Sequence, residues 1–141
     1  MKKTLVILAA LAAQAFAGGF FLQLGNPEAS AEARQLGAVI TVKAAGCHDP
    51  AAAKVTAAAI GVVNGQRRNV PLEVKNLSEA GMFAVVGQWP KEGKWVVQLN
   101  AINGEMFTNT LVPVGPNGVE RSRARFDMRK FADGDVEAML R

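Results

Sequence analysis

The only cysteine and the only histidine of the chain are neighbours, in the run Gly46-Cys47-His48-Asp49-Pro50. A thiolate beside an imidazole can ligate copper or zinc, and an added thioether favours cuprous copper. Met82 opens one predicted strand and Met106 another, so Cys47, His48 and Met82 form the candidate metal site, with copper the candidate cofactor. No C-x-x-C or H-x-x-x-H spacing preorganises these ligands. The competing reading is a packed thiol and a surface histidine in a connecting loop. As a nucleophile, Cys47 would need an imidazole within reach and a third group to orient it. Neighbouring side chains on extended backbone point to opposite faces, which disfavours that arrangement.

The rest of the catalytic inventory is thin. The serines are Ser30, Ser78 and Ser122, none in a nucleophile-elbow context. There is no tyrosine, and no pair of carboxylates stands out for general acid–base work. These residues argue against an enzyme. Two tryptophans, Trp89 and Trp95, could form an aromatic platform for sugars, but their strand parity matches the buried positions and favours core packing. Arg121, Arg123 and Arg125 alternate and would project from one strand face, toward an acidic partner, membrane phosphates or solvent. Glu120 and Asp127 partly balance them.

The elements that must position these groups read as strands. Short runs rich in Val, Ile, Phe and Trp extend from Phe20 to Val114, separated by turn residues. Ala38 to Ala45 alternates Ile40, Val42 and Ala44 with polar residues, so one face is buried. Lys54 to Val63 ends in Asn64-Gly65, a strong hairpin signal, and Gln66 to Val74 is the return strand. Pro71 cannot donate to a neighbour and belongs where a strand edge is open. A second hairpin is predicted from Gly81–Trp89, through Pro90-Lys91-Glu92-Gly93, into Lys94–Ala101. Asn103-Gly104 turns the chain back into Met106–Val114. Asp133 is the predicted cap of a short terminal helix over Gly134–Leu140.

The predicted fold class is therefore all-β: an immunoglobulin-like two-sheet sandwich of about seven strands, with a short C-terminal helix. An N-terminal signal peptide precedes it. Met1-Lys2-Lys3 is a basic leader, Thr4 to Ala13 an apolar run, and Ala15-Phe16-Ala17 a cleavage signal before Gly18. The organisation expected is 1–17 signal peptide, 18–115 sandwich and 116–141 charged appendage, packed on the sandwich or partly mobile. The apolar run is short of the roughly 20 residues that span a bilayer, so no stable membrane span is expected after processing.

Cleavage would leave 124 residues with 14 basic and 12 acidic side chains, so the whole-chain pI of 9.6 partly reflects the leader. A net charge near +2 in an exported domain gives no reason to expect nucleic acid as a partner. A single cysteine cannot close an internal disulfide, so stability must come from burying the 50% hydrophobic residues.

Gly81-Met82-Phe83, then Trp89 and Gly93-Lys94-Trp95-Val96-Val97, resembles the G-x-aromatic … G-x-W signature of small extracytoplasmic immunoglobulin-like modules, the YtkA-like and FixH-like domains. The resemblance spans about 20 residues directly and implies a fold and a compartment. It implies no catalytic residues. The reading favoured by these observations is a secreted or periplasmic, non-catalytic binding or accessory module. Its partner is an envelope protein or a small ligand. The alternatives are a periplasmic metal-handling protein using the Cys47-His48 loop and, last, a secreted enzyme.

Overall fold

The structure is a computed structural model describing residues 19–141, so the expected signal peptide lies outside the described residues. Among the described residues nine strands run in antiparallel pairs: β1 Phe21–Gly25, β2 Ala38–Ala45, β3 Lys54–Val63, β4 Gln66–Asn76, β5 Met82–Val86, β6 Lys94–Asn103, β7 Met106–Gly115, β8 Gly118–Val119 and β9 Arg125–Asp127. Two short helices accompany them, α1 Ala31–Gln35 and α2 Asp133–Leu140. The strand order is β1-β2-β5-β4-β3-β6-β7-β8, with β9 also paired to β7. The fold is all-β, as its alternating pattern requires.

The period-two alternation places one apolar set on the inside of this curled sheet. Leu22 lies across from Ala44, Val42 from Phe83, Ala59 from Val97, and Val97 from Val112. These residues, with Ile40, Val85, Leu99 and Trp95, form one core. Trp95 is buried and its indole N–H donates to the Glu92 carbonyl at 2.8 Å, satisfying the ring's polar atom.

The strand β4 joins the two halves of the molecule. Its first part, Gln66–Leu72, pairs with β3, and its second part, Glu73–Asn76, pairs with β5. Pro71 pairs across to Ala58 just before the β5 ladder begins, so its missing N–H costs no bond on that side. The Asn64-Gly65 hairpin forms as the sequence predicts, with φ of 51° and 75°, the left-handed pair that such a two-residue loop needs.

Four features depart from the sequence reading. The predicted hairpin over residues 81–101 does not form: β5 pairs with β2 and β4, while β6 pairs with β3 and β7. The segment from Gly87 to Gly93 instead crosses between the two halves, and Trp89 follows the end of β5 rather than lying on it. Local turn residues signal a reversal but do not say which strand the chain rejoins. At the next turn, Asn103 pairs with Met106, which leaves Gly104-Glu105 as the loop with only Gly104 at positive φ. That is the glycine-first hairpin turn rather than an Asn-Gly one.

The third departure concerns α2. Asp133 does not cap it. Ala132 stands at the cap position, and the Asp135 carboxylate reaches back to accept its N–H at 2.9 Å. The fourth is the arginine row. Residues 121–123 form a 3-10 turn, whose three residues per turn send Arg121 and Arg123 in different directions.

The segment 116–141 joins the sheet and covers it. β8 and β9 add to β7, and Val136 and Leu140 of α2 pack on Ile60, Val96 and Leu111 from the outer face of β3, β6 and β7. This second cluster explains why β3 carries apolar residues on both faces. Among the described residues no helix is long and apolar enough to cross a membrane.

Candidate functional site

The Cys47-His48 loop leaves β2 at Gly46, whose φ is 72°. A Cβ there would collide with the carbonyl oxygen of Gly19, so glycine permits the close approach of the chain's first described residues. Cys47 is a free thiol, half-buried against the core. His48 is exposed. The Asp49 carbonyl accepts the Asn103 side-chain amide at 2.8 Å, tying the loop to the tip of β6.

Met82 lies across from Lys43 in the β2–β5 ladder. Paired residues share a sheet face, and Lys43 alternates with Val42 and Ala44, which face the core that Cys47 packs against. Met82 therefore occupies the other face. Met106 pairs with Asn103 beside the Gly104-Glu105 turn, the hairpin that Asn103 ties to the Asp49 carbonyl. Among the described residues no group of three or more His, Cys, Asp or Glu side chains is arranged to hold a metal ion.

Two of the serines have structural work. Ser30 Oγ accepts the Ala33 N–H at 3.2 Å and caps α1, and Ser78 donates its hydroxyl to Glu32 at 2.9 Å.

A different place gathers exposed apolar groups, and sequence reasoning missed it. The sheet curls until β1 comes against β7, yet among the described residues these two strands share no ladder. Along this open seam runs a cleft of about 1310 Å³. One wall is Gly19–Leu24; the other is built by Thr108, Phe126 and Met128, with Arg121, Ser122, Asp127 and Arg129 alongside. Phe21, Phe126 and Met128 are 38%, 52% and 62% exposed. The volume exceeds the ~300–1,000 Å³ of ordinary small-molecule sites, as befits an elongated cleft open to solvent.

The register explains how the walls are made. Phe126 pairs with Thr110, so it leans to the inner side of β7, as Thr108 does two residues away. Thr110 is fully buried and its hydroxyl finds no hydrogen-bond partner among the described residues. Asn109, also buried, donates its side-chain amide to the Arg129 carbonyl at 2.8 Å and holds this wall in place.

The cations beside the cleft differ. Arg123 pairs with Glu120 at 2.9 Å. Arg125 approaches Asp135 at 3.8 Å and lies over the Phe131 ring at 5.7 Å. Arg129 stands 3.7 Å from Asp127. Arg121 is exposed and has no ion-pair partner among the described residues. It also borders a smaller hollow with Asn26, Pro27 and Trp89, which places it at the end of the cleft where β1 finishes.

A sequence signal for the cleft existed in Phe20-Phe21-Leu22, where consecutive large apolar residues break the alternation of a one-sided strand. Comparison with family models, with curated proteins and with solved structures gives no match.

Proposed function

We propose that this chain is an exported, non-catalytic binding module of immunoglobulin-like architecture whose ligand occupies the seam cleft between β1 and β9. The order β1-β2-β5-β4 followed by β3-β6-β7 corresponds to the A-B-E-D and C-F-G sheets of that architecture, which supports the fold reading. Export rests on the leader pattern of residues 1–17, and the YtkA-like and FixH-like resemblance agrees with it.

The observation that carries the binding reading is the cleft itself. Apolar side chains from two strands without a shared ladder line one continuous groove, and polar groups ring it. A concave site with mostly apolar walls and a few polar groups at its rim is the usual form of a small-ligand site.

The test is titration with Nile red, a neutral dye that brightens in apolar surroundings. Saturable one-to-one binding is expected, abolished by Phe126→Ser combined with Met128→Ser while the thermal midpoint stays put. Absent binding, or binding that survives both substitutions, overturns the reading.

A further inference from the structure

We infer that the cleft selects an anionic amphiphile with a single alkyl chain, its oxyanion head held by Arg121 and its tail laid along β1 toward Met128. This inference rests on the proposed reading of the cleft and adds the ligand's class and orientation.

The orientation follows from which end carries an uncompensated charge. A side chain at Gly19 would meet Met128 Sδ at 3.7 Å, so the start of β1 faces the residues just beyond β9. Arg121 lies at the opposite end, near Asn26 and Pro27, immediately after β1 stops. At the Gly19 end, Arg129 is answered by Asp127, whose carboxylate also accepts the Arg129 N–H at 2.9 Å. Glu120, the nearest acid to Arg121 in sequence, is engaged by Arg123. Among the described side chains, the arginine at one end of the cleft is paired with an acid and the guanidinium at the other has no ion-pair partner.

Between the ends the apolar side chains that are exposed or half-buried are Leu24, Phe21, Phe126 and Met128. Gly19–Leu24 as extended chain covers roughly 20 Å at ~3.3 Å per residue, a slot suited to an extended alkyl chain. Guanidinium presents a planar fork of N–H donors that matches carboxylate and phosphate oxygens alike, so the shared head chemistry is an oxyanion. A neutral lipid would leave Arg121 unanswered, and a free anion would leave the apolar length unused.

The experiment displaces Nile red from the 18–141 protein with dodecanoate, dodecyl phosphate, dodecanol, acetate and inorganic phosphate, all below micelle formation. The anionic dodecyl compounds should displace the dye about tenfold more strongly than dodecanol, and acetate and phosphate should not displace it. The stronger of dodecanoate and dodecyl phosphate identifies the head. Arg121→Gln should bring the anionic compounds down to the level of dodecanol and leave dodecanol unchanged. Added salt should have the same levelling effect. Shortening the chain by two methylenes should weaken binding about tenfold.

Equal displacement by charged and neutral chains, or a preference that survives Arg121→Gln, overturns the inference while the cleft reading stands. An extended apolar peptide that displaces the dye equally well before and after Arg121→Gln also overturns it, in favour of strand addition on β1. Failure of Nile red to bind removes both.

Discussion

The two halves of the sheet meet twice, and they meet differently. On one side β4 belongs to both halves, bonded to β3 through Leu72 and to β5 from Glu73 onward. On the other side β1 approaches β7 with no ladder between them, and aromatic side chains stand exposed along the gap. The interior follows suit. Leu72, at the β4 corner, packs into the apolar core, whereas on β7 the inward positions nearest the seam are Thr108 and Thr110 rather than Val112 and Val114. A joint closed by backbone hydrogen bonds is part of the fold's stability, while an open one leaves surface for another molecule.

Substitutions should separate the two joints. Leu72→Ala empties a buried site at the closed corner and should cost about 3 kcal/mol in urea unfolding. A change under about 1 kcal/mol would mean that the corner contributes no more than an ordinary surface position. Val136→Ala tests the covered outer face and should cost about 2 kcal/mol, since α2 holds its position through Val136 and Leu140.

Thr110→Val acts at the seam and in the opposite direction. It removes a buried hydroxyl that has no partner at nearly constant shape, and should raise stability by about 1 kcal/mol. Destabilisation of that size would show that the hydroxyl is satisfied in solution. The smallest effect is expected for Phe126→Ser with Met128→Ser, within about 0.5 kcal/mol, because both side chains are more than half exposed. A large loss would make the seam part of the folding core and erase the distinction.

Strand identity was legible because burial on one face imposes period two, and Ala38–Ala45 and Lys54–Val63 appear with the predicted bounds. Asn64-Gly65 was legible because its turn needs residues tolerant of positive φ. Pairing across the molecule was not: nothing local to Pro90–Gly93 says that β6 joins β3 instead of β5. The chemistry of the Cys47 loop drew attention as the only Cys-His pair, yet Gly46 is explained by its approach to Gly19, and Met82 falls on the other sheet face. The cleft escaped because Thr108, Arg121 and Phe126 are remote in sequence from β1, and the arginine row that includes Arg121 does not say which strand it will face. The β7–β9 ladder sets Phe126 near Thr108, and the curl of the sheet brings β1 to face them.

The most direct measurement is amide hydrogen exchange of the 18–141 protein with and without dodecyl phosphate. Without ligand, β4 should be slow to exchange and the seam strands β1 and β9 fast. With ligand, protection should rise in residues 19–25 and 121–129 and stay level in β4 and α2. Protection that appears in β4 or α2, or a seam already as slow as β4, would contradict an open joint built for a ligand.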